Sequence, residues 1–411
     1  MLNKDQQREL AYLVKIDDIC PITGSDNCEC AVVGGWHVMV KKGTFKKSDV
    51  AIYFEIDSLV DLTRPEFAFM SKYKGRVKSQ RFRFGKSAEE VGAGFISQGL
   101  LMHPNDLGWE VEPCPAPAFY TAKDGNGNYH YANDESRFVT ELLNVHYYDP
   151  EDEKRKKEPK DKVPQMPKFF RTKLGRWLMR HTFTRKLCIK LFGKKKKKKG
   201  WPEWVAKTDE ERVQNIPWII KDEDEWICTE KIDGTSTTVS VRRKGKKFES
   251  YICSRNVVFD KPDKDCFYDT NVYVEMAEKY HLVEFLTDYL KEHKDVEWAT
   301  IQGETYGDGI QNRGYSLKDE RRFAGFNFVD SVNSRWNSVD AKALAEKYDI
   351  PWVPILDENF KMPETVDELL EMATGESVID GLPREGFVFR SKDGKKSFKA
   401  VSNEFLLKYH S

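Results

Sequence analysis

The sequence has no apolar run close to the eighteen or so residues that a membrane span requires. Its N-terminus, MLNKDQQREL, lacks the apolar stretch of a secretory signal. Both absences place the expected protein in the cytosol, or in the nucleus of a eukaryotic host, with no transmembrane segment. The eight cysteines (Cys20, Cys28, Cys30, Cys114, Cys188, Cys228, Cys253 and Cys266) include no pair of CxxC units. Zinc-ribbon and zinc-finger spacing is therefore excluded, and reduced thiols in a reducing compartment are the expectation. Net charge is missing too, since 67 Lys and Arg balance 67 Asp and Glu. With 39% hydrophobic and 33% charged residues the chain reads as globular, not disordered or fibrous. At 411 residues it exceeds one ordinary core, so two domains and a linker are expected.

The neutrality is uneven. Residues 153–200 carry 20 Lys or Arg against 3 Asp or Glu, and the rest of the chain offsets that excess. The segment PEDEKRKKEPKDKVPQMPK reads as a solvated linker. The insertion that follows, over residues 165–200 and ending in Lys194–Lys199, mixes aromatic and aliphatic residues with Arg and Lys. Three readings stand: an arm on a nucleic-acid backbone, an anchor on a membrane surface, or a charged insertion without a ligand.

Residues 10–103 hold short strand-like runs with turn punctuation: LAYLVKI, AVVGGWHVMV, VAIYFEI, RVKSQRFRF and ISQGLLM. Five or so strands in that length predict a small barrel, preferably of OB type. Alternation puts Arg76, Lys78, Arg81 and Arg83 of RVKSQRFRF on more than one face. From about residue 201 strand-like runs (STTVSVRR, EWATIQGE, RFAGFNFV, GFVFRS) alternate with helical ones (VYVEMAEKYHLVEFLTDYLKEH, SVDAKALAEKYD). The expected class is α+β. An OB-like β-barrel module spans 1–115, a linker with the basic insertion spans 116–200, and a domain of antiparallel sheets with flanking helices spans 201–411.

Chemistry gathers in the last part. TEKIDG contains Glu230, Lys231, Asp233 and Gly234. SRN follows at Ser254–Asn256, then QGE at Glu304, FNF at Phe326, REGFVF at Glu385 and FKAV at Lys399. Each motif is weak alone, and Phe326 is also an ordinary core-strand residue by pattern. As an ordered set the six resemble the covalent nucleotidyltransferase superfamily: ATP-dependent DNA ligases, RNA ligases and mRNA capping enzymes. The resemblance covers about residues 205–405 and makes 201–411 an expected nucleotidyltransferase domain.

Within that superfamily, only 12 residues follow Lys399 here, against the C-terminal OB domain of DNA ligases and capping enzymes. A β-rich module ahead of the lysine motif instead resembles the Deinococcus- and Naegleria-type RNA ligases. GWHVMVKKGTFKKSDVAIYFEIDSLV and FISQGLL look like that family's amino domain, and KTDEERVQN (207–215) like its lead into the catalytic domain.

The resemblance implies a reaction and its residues. The expected activity joins 3′-OH and 5′-phosphate ends, at nicks in duplexes with RNA on the 3′-OH side. ATP is the co-substrate, Mg²⁺ or Mn²⁺ the metal, and a monomer the working form. Lys231 is the implied nucleophile, with Asp233, Glu304 and Lys399 completing the catalytic set. Nucleotide contacts are implied for Glu230, Gly234, Arg212, Arg255, Glu304, Phe326, Glu385 and Lys399. Metal contacts are implied for Asp233, Glu304 and Glu385, and Arg212 is matched to the β- and γ-phosphates. Attack by a lysine requires its neutral form, so a divalent metal near Asp233, Glu304 and Glu385, together with Lys399, should depress its pKa. One departure is Val401, where the family often carries a second lysine. Phosphate contacts are then fewer, or Lys396 substitutes. A DNA ligase, a GTP-dependent capping enzyme and a non-catalytic nucleic-acid-binding protein of the same fold are the rival readings.

Overall fold

Alternation between residues 10 and 103 produces paired antiparallel strands. The computed structural model describes residues 1–4, 7–84, 94–113, 120–148, 200–255, 257–259 and 270–409. Ala11–Lys15 pairs with Val50–Phe54, which pairs with Leu100–Met102. Asp18–Pro21, Cys28–Val33 and Trp36–Lys41 form a meander. All five residues of Val50–Phe54 are buried because the strand's two faces enter different cores. Ala51 and Tyr53 pack with Tyr12, Trp36 and Val38. Val50, Ile52 and Phe54 pack with Phe67, Trp109 and Leu143.

Two expectations change in detail. RVKSQRFRF is a strand only over Gln80–Phe82, paired with Phe95–Ser97. The stretch expected as linker from residue 116 includes paired strands from residue 120 onward. Glu110–Pro113, Tyr120–Lys123 and Tyr129–Tyr131 form one sheet, and His146–Tyr147 pairs with Ser58–Leu59. Burial is the reason: Ala122, Val139, Leu143 and Val145 fill the barrel's outer core, so the part of this segment up to 148 is a cover and not a linker. Apart from Gly200, the basic insertion at 165–200 lies outside the described residues, as does Asn256.

The later part is two sheets facing each other. The larger runs Val258–Phe259, Lys247–Cys253, Thr235–Lys244, Trp298–Gly307, Arg321–Asp330 and Ser334–Arg335 in spatial order. The smaller runs Glu211–Arg212, Ser397–Val401, Gly386–Ser391, Trp226–Lys231 and Ile355–Phe360. Every pair in these two sheets is antiparallel except Glu211–Arg212 with Ser397–Val401.

Helices cover the sheets through apolar stripes at helical spacing. Leu282, Phe285, Leu286, Tyr289 and Leu290 of the helix Leu282–Glu292 bury against Val239, Ala299, Ile301 and Phe328. Leu369 and Leu370 of Val366–Ala373 bury against Phe387, Phe389 and Phe398. Among the described residues no helix is long and apolar enough to cross a membrane.

Candidate active site

The chain leaves the smaller sheet at Lys231 and enters the larger at Thr235. The intervening turn, Ile232-Asp233-Gly234, therefore lies where the two sheets meet. Gly234 is required there by space. A Cβ on it would sit 2.3 Å from the Thr305 carbonyl oxygen and 2.8 Å from Glu304 Cγ. The Asp233 N–H donates to the Tyr315 hydroxyl at 2.6 Å, and Gln311 Nε2 donates to the Gly234 carbonyl at 3.2 Å.

A cavity of about 520 Å³ opens beside this turn. Its walls hold Glu230, Lys231, Asp233, Gly234, Arg212, Arg255, Glu304, Phe326, Glu385 and Lys399, so all the sequence-predicted site residues meet at one cavity. Register explains the convergence. Glu304 lies opposite Ser236 in the larger sheet. Glu385 immediately precedes Gly386, which lies opposite Lys231. Lys399 pairs with Val388 on one side and Arg212 on the other.

Charge is arranged in two groups. Around Lys231 the charge is negative: its Nζ donates to Glu385 Oε2 at 2.8 Å. Burial pushes the Lys231 pKa down, but Glu385, Glu304 and Asp233 together raise it. Burial pushes the Glu304 carboxyl up to about 8; Glu385 and Asp233 add to the rise while Lys231 opposes it. In the protein alone the carboxylates thus outweigh burial and keep the lysine charged.

Around Lys399 the charge is positive. Burial depresses its pKa, and Arg8, Arg212 and Lys231 add to that while Asp209 opposes it. Arg212 is buried, and its Nε and Nη1 make no hydrogen bond among the described residues.

Glu230 lines the cavity with its side chain tied elsewhere. Its carboxylate is buried and occupied by the Ser377 hydroxyl and the Val378 N–H. Phe326 is half-buried against the core of the larger sheet and carries the Arg390 guanidinium 5.4 Å from its ring centre. Lys396 does not substitute for the missing second lysine: Asp222 and Asp224 each hold its Nζ at 2.7 Å. Val401 is buried with Ile56 and Leu406.

Among the described residues no three His, Cys, Asp or Glu groups converge as a direct metal cage. Asp233, Glu304 and Glu385, the implied metal contacts, line one cavity around Lys231. The surplus of carboxylate around Lys231 suits a hard divalent cation that keeps most of its water.

Sequence reasoning missed several lining residues. Arg8, Asp57, Arg76, Tyr147 and Tyr148 reach the cavity from the N-terminal module. No local pattern marks them, since their approach depends on how the modules dock. Asp209 lies within KTDEERVQN, where only Arg212 was singled out; its acidity beside that arginine was the available signal.

Comparison with known proteins agrees with this geometry. Residues 224–410 match the RNA ligase family model, and residues 10–104 match an OB-fold domain model. No curated protein sequence matches the chain. Among solved structures, the Naegleria gruberi RNA ligase with pyrophosphate is 26% identical, with a TM-score of 0.68, over 98% of this chain and 99% of that one. A mutant of the same ligase with ATP and Mn is 26% identical, with a TM-score of 0.66, over 98% of each chain. Another mutant, with AMP and Mn, is 27% identical, with a TM-score of 0.67, over 98% and 99%. With an OB-type barrel ahead of two sheets and a lysine at their junction, the chain matches the RNA ligase family over residues 224–410 and shares its fold with the Naegleria gruberi RNA ligase over nearly its whole length, which together support an ATP-dependent RNA ligase.

Proposed function

We propose that the chain seals 3′-OH and 5′-phosphate RNA ends through a covalent lysyl-AMP on Lys231. Its substrates are nicks in duplexes with RNA on the 3′-OH side. The observation that carries this reading is the meeting of Lys231, Glu304, Glu385 and Lys399 at one cavity, from four separate strands or their ends. The solved ligase it resembles was captured with ATP and Mn, with AMP and Mn, and with pyrophosphate. The nick preference rests on the family resemblance alone.

Three displacements follow in order. Lys231 Nζ, once neutral, bonds to the α-phosphorus of ATP while the bond to the β-phosphate oxygen breaks and pyrophosphate leaves. Glu385, 2.8 Å from Nζ, is in reach to take the ammonium proton. An oxygen of the strand's 5′-phosphate then displaces Lys231 from phosphorus, leaving AMP on the strand end. The 3′-hydroxyl finally attacks that 5′-phosphorus, forming the phosphodiester and releasing AMP. Lys399 and Arg212 neutralise the phosphates, and Phe326 offers a ring to the adenine. When bound through water to Asp233, Glu304 and Glu385, a divalent cation would offset their charge and favour the neutral amine.

The test is a ligation panel of nicked duplexes, each strand RNA or DNA, beside single-stranded ends. Fastest sealing is expected with RNA at the 3′-OH. Incubation with labelled ATP and, separately, labelled GTP decides the nucleotide. Labelling by GTP alone, or no labelled protein at all, would defeat the proposal.

A further inference from the structure

The segment 206–212 crosses the cleft between the two sheets. On the larger sheet it is tied at the Ala206 carbonyl by Gln302 Nε2 (2.9 Å) and at the Thr208 hydroxyl by the Ser236 hydroxyl (3.1 Å). On the smaller sheet it becomes the edge strand Glu211–Arg212, beside Phe398 and Lys399. Asp209 lies midway along this strap. Its Oδ1 accepts from Lys399 Nζ at 3.1 Å, and its Oδ2 accepts from Arg255 Nη2 at 2.6 Å. One carboxylate thus bridges a cation on the smaller sheet to one carried just beyond a strand of the larger. Both cations line the cavity that holds Lys231.

From this geometry we infer that Asp209 is a positioning residue. It holds Lys399 and Arg255 on one carboxylate and keeps Lys399 protonated for the phosphates it must meet. This inference rests on the proposed function. The groups that face Lys399 explain the need for it. Arg8, Arg212 and Lys231 act on the lysine as like charges, and Asp209 is the carboxylate bonded to it. Burial and three cations favour loss of its proton, and Asp209 opposes them. A neutral Lys399 would lose its charge-assisted contact with the nucleotide phosphates. Asp209 is itself held well below the usual carboxylate range, against the cost of burial, by Lys399 and Arg255. It therefore stays an anion wherever the enzyme works.

The inference predicts a particular pH dependence. Removing the Asp209 charge lowers the Lys399 pKa, so the falling alkaline limb of activity moves to lower pH. Adenylate formation by the full-length protein would be measured with labelled ATP from pH 6 to pH 10 for the wild type, Asp209→Asn and Asp209→Glu. The Asn variant is expected to lose less at the acid end than at the alkaline end. Its alkaline limb should fall about one pH unit earlier, a loss of about tenfold at the alkaline end. The Glu variant should restore the limb, and thermal melts of all three should show the variants folded.

A deficit in the Asn variant that is the same at every pH, or a limb that does not move, would overturn the inference while leaving the proposed function standing. Absence of adenylate in the wild type itself would instead defeat the proposed function.

Discussion

Lys231 is held as an ammonium by the carboxylates that surround it, so the resting protein opposes the nucleophilic role proposed for it. On the proposed mechanism, activation is coupled to what enters the cavity: positive charge and phosphates must shift the balance before the amine can attack. Lys231→Ala is expected to abolish adenylate formation and sealing from ATP, by a factor of at least about 1,000 on the scale of lost covalent catalysis. Sealing of a pre-adenylated strand should survive, because that last step bypasses the lysine. Robust sealing from ATP by this variant, followed on a denaturing gel, would contradict the assignment. Glu385→Gln keeps the shape and removes the charge 2.8 Å from Nζ. It should slow both adenylate formation and final sealing, by roughly 100-fold if the residue assists proton transfer and metal water together. A loss confined to the first step, read from single-turnover rates, would mean that it serves proton transfer alone.

At the scale of elements, the site is built by strand ends and turns and not by one loop. The lysine turn works because Gly234 lets two strands approach with no Cβ between them. Gly234→Ala should force the turn away from Glu304 and Thr305. A cost of about 1–3 kcal/mol is expected from overpacking against backbone, together with a loss of adenylate formation larger than the stability change explains. Thermal melts beside adenylation rates would check this, and a variant with normal activity would show that the close approach is dispensable. The same scale explains the strap at 206–212. It has little apolar content of its own, so its path follows from hydrogen bonds to both sheets rather than from a core.

At the scale of the molecule, the two modules are joined by a buried polar network. Glu55 accepts from Arg8, from the Tyr12 hydroxyl and from Asn215 Nδ2, and meets the α-amino group of Met1. Asn215 Oδ1 in turn accepts from Trp36 Nε1 at 2.6 Å and from Tyr12. Burial would push the Glu55 carboxyl up, but the α-amino group and Arg8 hold it down at about 2, against an ordinary 4.5. A depressed carboxylate stabilises the fold above its unfolded pKa. That contribution falls away as pH drops from about 4.5 towards 2. Wild-type urea midpoints should therefore fall between pH 5 and pH 3. Glu55→Gln should be less stable near neutrality by about 1–3 kcal/mol and show a shallower acid dependence. Equal acid slopes in the two proteins would remove Glu55 from this role. The joint also reaches the cavity, since Arg8, bound to Glu55, lines it.

Much of this was legible in the residues. Period-2 alternation marked the barrel strands, and the apolar stripe of Leu282–Glu292 marked its helix, because local periodicity reports which face is buried. Lys231, Glu304, Glu385 and Lys399 were legible as motifs, and the structure brings them to one cavity. The sequence alone also determined the two-part architecture and the expectation of a lysine nucleophile. Only the tertiary structure decided that residues 120–148 cover the barrel, that Glu230 is tied to residues 377–378, and that Lys396 is neutralised elsewhere. It alone brought Arg8 and Asp209 to the cavity. The physical reason is range: periodicity and motif spacing are local along the chain. Which charge meets which across 154 residues, as Lys231 meets Glu385, depends on how separate strands register and how the modules dock.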